Sequence, residues 1–315
     1  MSKLFLSFLI LAVSSFALEE VTPTYFLKAT GTVQEIVYKK GLLYAGTDNG
    51  TVEVFDTKDK KIIKTISIPK IQDFMGDTIP AKVYSIDLLD NKILIVSQGM
   101  KGYRNLWIYE DEKLRKLISI DKKFFIQKAS FVSNTKIVFA LLSNQIGIFD
   151  IEKNKVTVLT QVSQSSFSHF ALNENRSTLV TTDESGVVRV LNTNDLVVEK
   201  KLKALNLDRV YQLDYKKGKV LTAGKDRKAV FYDSFSSYAL NFDFLLYSCG
   251  LSKNAKYGAI AYNEENEILV FNTSSKNYLY KLIGQDATLT QILFISDKEI
   301  FASSDSQTIN FWRLK

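Results

Sequence analysis

The 315-residue chain carries one histidine and one cysteine, and those two counts exclude most site chemistries at once. Cys249 cannot close an internal disulfide, and no Cys-x-x-Cys-His exists to attach a c-type haem. A His/Cys cluster able to hold zinc or copper cannot be assembled. A Ser-His-Asp triad has only His169 to use, and its surroundings, Ser166-Phe167-Ser168-His169-Phe170, lack a nucleophile elbow. His169 lies in an alternating segment. There it either lines a channel and titrates near neutral pH or hydrogen-bonds a neighbouring strand, and the structural reading is the stronger. Cys249 reads as a small buried thiol, because a reactive one needs a cation beside it. Glu264, Glu265 and Glu267 form an acidic run whose spacing matches no EF-hand loop and reads as a solvated turn. The sequence therefore offers no catalytic, cofactor-binding or metal-ligating residue.

The elements that would position any site come from a repeat. Alternating apolar residues ending in a polar one recur as Val52-Glu53-Val54-Phe55-Asp56, Leu106-Trp107-Ile108-Tyr109-Glu110, Ile146-Gly147-Ile148-Phe149-Asp150 and Val188-Arg189-Val190-Leu191-Asn192. Ala229-Val230-Phe231-Tyr232-Asp233, Leu269-Val270-Phe271-Asn272 and Ile309-Asn310-Phe311-Trp312-Arg313 complete the series. Successive copies end 54, 40, 42, 41, 39 and 41 residues apart, so seven units share a period near 41. Each unit reads as four short strands, with tight turns such as Asp48-Asn49-Gly50 between the second and third. No unit has a helical apolar period, so helical solenoids are excluded.

Four-stranded units of this length predict an all-β chain, a seven-bladed β-propeller. The seventh unit ends with its third strand at Trp312, while residues 24–30 form a strand with no unit of its own. Pairing the two closes the ring and removes two exposed edges. Trp107 and Trp312 fall in third strands and read as packing residues.

Residues 1–17 read as a cleavable signal peptide, with Lys3, an apolar run over 4–13, and Ser15 and Ala17 at the positions a peptidase reads. Residues 18–315 are then the propeller, exported to the periplasm, with Leu18 as the first mature residue. No Arg-Arg pair precedes the apolar run, so export in the unfolded state without a preloaded cofactor is expected. No other segment approaches 18 consecutive apolar residues, so no stable membrane insertion is expected. The net charge is +7, but it comes mostly from scattered Lys with only seven Arg, which reads as a solvated surface and not a nucleic-acid interface.

The repeats resemble WD40 repeats over residues 24–315. Phe55-Asp56, Phe149-Asp150 and Tyr232-Asp233 stand where that family has Trp-Asp, and Asp48, Asp183, Asp226 and Asp305 stand at its turn Asp. No Gly-His dipeptide occurs, so the family's hydrogen-bond tetrad is absent, and apolar packing with turn Asp contacts must replace it. The whole chain is similar to the L-type accessory proteins of periplasmic nitrate reductase (the NapL family). That resemblance implies a non-catalytic scaffold that assembles or supports a respiratory molybdenum enzyme, with a reductase subunit as protein partner and no cofactor of its own. The alternative is a secreted propeller enzyme with an axial site, a metal-dependent hydrolase or a quinoprotein. The inner strands offer only Glu35, Asp87 and Asp214 for the first, and two Trp are too few for the second.

The first step, 54 residues, exceeds the usual 41 and marks the second blade as the exception. The extra length falls at residues 71–80 and 97–105, two connections that a propeller places on one face. Loops on a rigid scaffold carry binding residues. Phe74, Met75, Met100, Lys101, Tyr103 and Arg104 are therefore the candidate partner-binding residues, since aromatic, Met and Arg side chains are enriched in interface cores.

Overall fold

The computed structural model describes residues 18–202, 204–234 and 236–315, and the signal peptide expected over 1–17 lies outside them. Seven antiparallel sheets follow one another along the chain. Blade 1 is Val33–Lys39, Leu42–Thr47, Thr51–Asp56 and Lys61–Ser67, innermost strand first. Blade 2 is Val83–Leu89, Lys92–Gln98, Arg104–Glu110 and Lys113–Ile118. Blade 3 opens with Ile126–Phe131, blade 4 with Phe167–Leu172, blade 5 with Val210–Lys216, blade 6 with Cys249–Leu251 and blade 7 with Leu289–Ser296. The innermost strands touch in cyclic order, blade 7 against blade 1, so the array is a closed seven-bladed propeller.

The burial of each strand explains the sequence pattern. Second strands lie between two neighbouring blades and are buried on both faces, as in Lys136–Leu141, where only the first residue reaches solvent. They therefore read as continuous apolar runs. Outermost strands such as Lys155–Gln161 alternate exposed and half-buried residues, which is the period of a strand with one wet face. Seven apolar clusters result, each at a seam between adjacent blades.

Ring closure follows the expected route. Tyr25–Lys28 is the outermost strand of blade 7, pairing antiparallel with Thr308–Arg313 from Tyr25 opposite Phe311 to Lys28 opposite Thr308. The Tyr25 ring stacks on Phe311 at 4.6 Å, and Leu27 is buried in the seam with blade 1. A second clasp lies upstream. Glu19–Val21 adds a fifth strand to blade 6, parallel to Tyr278–Leu282, with Lys281 Nζ 2.6 Å from Glu20. Three residues with two carboxylates carry no period, so nothing in the sequence announced this strand.

The blade 2 insertions also take form. Ile71–Gln72 and Thr78–Ile79 pair as a small hairpin, while the second insertion narrows to a single 3-10 turn, Met100–Gly102. Among the described residues no helix is long and apolar enough to cross a membrane.

Candidate functional site

The ring surrounds an axial channel, and a recurring backbone irregularity decides what lines it. In blades 1 to 5 and in blade 7 the innermost strand carries an extra residue against the start of its pairing with the second strand, and blade 7 has a further one at Ile295. The extra residues are Gln34, Tyr84, Gln127, Ser168, Tyr211 and Thr290. Such a bulge re-aims side chains, and here it turns each extra residue and its successor toward the axis together. The successors are Glu35, Ser85, Lys128, His169, Gln212 and Gln291. The channel has two chambers, about 190 and 320 Å3, that share Glu35, Lys128, His169, Gln212 and Gln291 at the waist.

These polar groups bond neighbouring blades to each other. Glu35 accepts from Ile86 N at 2.7 Å, Asp87 from Phe131 N at 2.7 Å and Ser85 from Ala129 N at 3.4 Å. His169 Nδ1 accepts from Leu213 N at 3.5 Å, Gln212 from Cys249 N at 2.9 Å and Asp214 from Leu251 N at 2.9 Å. Gln291 of blade 7 accepts from Ile36 N of blade 1 at 2.8 Å, so such bonds span the seams between blades 1 and 2, 2 and 3, 4 and 5, 5 and 6, and 7 and 1. In every case a side chain of one blade takes the innermost backbone amide of the next. Cations complete the carboxylates. Lys128 pairs with Glu35, Lys216 with Asp214 at 2.8 Å, and Arg176 with both oxygens of Asp87 at 2.6 and 3.1 Å. Arg176 also donates to the carbonyls of Phe131 and Leu88, so one guanidinium from blade 4 joins blades 2 and 3.

The two singular residues are held in unreactive states. Burial and the nearby Lys128 charge hold the His169 imidazole well below its ordinary range, so it stays neutral. Burial and the Asp214 carboxylate push the Cys249 thiol well above the usual value. A nucleophilic cysteine needs the opposite shift. Glu267, from the acidic run, accepts from Tyr262 and Asn263 at 2.8 Å each and pairs with Lys281 at 3.3 Å, as a turn residue does. No group of three or more His, Cys, Asp or Glu side chains is placed to hold a metal ion among the described residues.

Three of the four turn Asp residues tie their turns to neighbouring segments, while Asp305 is exposed and its backbone amide donates to Thr288 O. Asp48 accepts from Thr32 N at 2.7 Å, and Asp226 from Leu207 N at 2.7 Å, each tying a turn to the strand entering its own blade. Asp183 is fully buried, paired with Arg189 at 2.5 Å and bonded to Asn144 of blade 3 at 3.1 Å.

The candidate partner-binding residues fall into two groups. Phe74, Met75, Met100 and Lys101 are exposed. The 71–80 hairpin and the 97–105 loop stand side by side, and a cleft of about 760 Å3 between them is lined by Ile71–Phe74 and Gln98–Gly102. Phe74 and Met75 are 101% and 81% exposed, the largest values among the bulky apolar side chains outside the core. Tyr103 is half-buried and packs on the exposed Phe125 ring at 4.8 Å. Arg104 is turned inward. Its guanidinium lies 3.3 Å from the Tyr84 ring centre and donates to Ile126 O at 3.2 Å, and burial lowers its pKa. It joins blades 2 and 3 and presents no free charge to a partner. Phe125 belongs to the same patch and lies outside both insertions, so the spacing argument did not reach it.

No known family profile matches the chain, and no curated protein matches it in sequence. Among solved structures it is similar to the crystal structure of the Myceliophteria thermophila Cps50 (Swd1) β-propeller domain. The TM-score is 0.74 over 93% of this chain and 99% of that one, at 12% identity. At that identity the likeness carries the architecture alone: the chain is a WD40-like seven-bladed β-propeller.

Proposed function

We propose that the chain is a non-catalytic protein-interaction scaffold whose partner docks where the two blade 2 insertions meet. Residues 1–17 would deliver it to the periplasm, and the partner would be a subunit of a periplasmic nitrate reductase, as the resemblance to L-type accessory proteins implies. One observation carries the reading. The two most exposed bulky apolar side chains, Phe74 and Met75, stand beside a cleft on blade 2, whereas the axial polar groups bond one blade to the next. A hydrolase would need axial carboxylates free to ligate a metal or activate water. Here Glu35, Asp87 and Asp214 each accept a backbone amide and hold a cation.

The test is affinity purification of the tagged full chain from cells respiring nitrate, with intact-mass analysis of the exported form. The reading predicts a mature chain starting at Leu18 and recovery of a reductase subunit that is lost when 71–80 is replaced by a Gly-Ser linker. Unchanged recovery by that variant, with an unchanged melting temperature, contradicts it.

A further inference from the structure

Among the described residues only blade 6 has a fifth strand, and it runs parallel to Tyr278–Leu282. Glu19 lies opposite Tyr280, Glu20 opposite Lys281 and Val21 opposite Leu282. Val21 O accepts from Ile283 N at 3.1 Å. Each side chain from Leu18 to Val21 meets its own receptor. Successive side chains in a strand point to opposite faces, so Leu18 and Val21 leave the blade on different sides. Leu18 packs on the cluster between blades 5 and 6, and Val21 on the cluster between blades 6 and 7. Glu19 pairs with Lys315 at 2.6 Å and Glu20 with Lys281 at 2.6 Å. The edge therefore accepts one pattern in parallel register: apolar, acid, acid, apolar.

The two clasps are held differently. The ring-closing strand Tyr25–Lys28 has four ladder pairs, a stacked Tyr25 ring and Leu27 buried to 1%. Glu19–Val21 has three pairs and no fully buried side chain. Its ion pairs are open to solvent, with Glu19 41%, Lys315 86% and Glu20 56% exposed. Such pairs contribute little and are screened by salt. A segment with so few buried contacts opens locally while the rest of the fold stays intact. Opening this one uncovers the edge of Tyr278–Leu282, a template for another strand.

We infer that the outer edge of blade 6 is a strand-addition site. An extended segment of a partner protein with the apolar-acid-acid-apolar pattern pairs parallel with Tyr278–Leu282 in place of Leu18–Val21. The segment seated there defines the chemistry, since it is what Lys281, Lys315 and the two seams accept. A second copy is a poor donor. Its own strand is tied to blade 7 four residues on, at Tyr25, and four residues reach about 14 Å at most. This surface is separate from the blade 2 cleft, and neither reading depends on the other.

The test has two parts. In the wild-type chain the Ile283 amide should exchange about tenfold faster than the Ala29 amide, which donates to Gln307 O in the ring clasp, and faster still as salt rises from about 0.1 to about 1 M. Equal rates, or no response to salt, overturn the displaceable strand. The second part selects randomised display peptides on the full chain carrying L18G/E19S/E20G/V21S, which leaves Tyr25–Lys28 in place. The double reversal E19K/E20K, which sets lysines against Lys281 and Lys315 and keeps the packing residues, serves the same selection. Melting temperature verifies that each variant is folded. The inference predicts enrichment of the apolar-acid-acid-apolar pattern, binding about tenfold weaker to wild type, where the tethered strand competes, and loss of binding when K281E/K315E is added. No enrichment on a folded variant, enrichment of basic sequences, or equal binding by wild type overturns it. So does a wild-type dimer joined by exchanged strands. None of these outcomes touches the blade 2 reading.

Discussion

Asp87→Ala should loosen three blades at once. The carboxylate accepts from Phe131 N and from both terminal nitrogens of Arg176, and the same guanidinium donates to Phe131 O and Leu88 O. Removing it leaves an amide without an acceptor and a mostly buried guanidinium without its counter-charge. Breaking one side of a buried pair costs about 3–5 kcal/mol. Solvent reaches the pair from the channel, with the two side chains 14% and 23% exposed, which reduces the expectation to about 2–4 kcal/mol. At roughly 2 °C per kcal/mol for a domain of this size, the melting temperature should fall by about 4–8 °C. Asp87→Asn keeps an acceptor for Phe131 N and should cost about half as much. The assay is thermal unfolding followed by circular dichroism, run as a cycle with Arg176→Met, where the two changes should couple by about 1–3 kcal/mol. A melting temperature within 1 °C of wild type, or an additive cycle, would refute the claim that axial side chains bond the blades.

Four further outcomes follow from the same geometry. Deleting residues 19–30 removes both clasps and the burial of Leu27 and Tyr25, about 5 kcal/mol, and should lower the melting temperature by about 10 °C with association through the opened edge. Sedimentation and calorimetry check this. His169 is held neutral in the fold, so the unfolded chain binds its proton more readily. Its contribution is fully present above pH 6.5 and is lost as pH falls below that value, at up to about 1.4 kcal/mol per pH unit. His169→Gln should flatten melting temperature against pH between 6.5 and 5, and an unaltered slope contradicts the assignment. A Cβ on Gly250 would lie 2.6 Å from Ile292 O, so Gly250→Ala should cost about 1–3 kcal/mol in chemical denaturation. Phe74→Ala removes no packing and should leave stability within about 0.5 kcal/mol of wild type.

The sequence made the architecture legible because a propeller repeats its burial pattern. Third strands such as Thr51–Asp56 and Thr308–Arg313 lie between blades and keep the same apolar signature in each unit. The missing fourth strand of the last unit identified Tyr25–Lys28 as its partner. The axial lining was only half legible. Glu35, Asp87 and Asp214 stood out as carboxylates, but Lys128, Gln212 and Gln291 did not, because the bulge breaks the two-residue period that assigns faces. On blade 2 the lengthened spacing located two insertions that the structure places side by side, with Phe74 and Met75 exposed at the tip of one. Arg104 was misjudged, since a stack on Tyr84 across the chain is invisible to local pattern. The packing of Phe125 on Tyr103 was not legible either, because Phe125 lies outside both insertions.

Hydrogen exchange of the chain alone and bound to its recovered partner tests the central claim most directly. The account predicts new protection over 71–80 and 97–105, with the innermost strands Val33–Lys39, Val83–Leu89 and Val210–Lys216 unchanged. Protection confined to the innermost strands around the axis, with the blade 2 insertions exchanging as in the free chain, would contradict it.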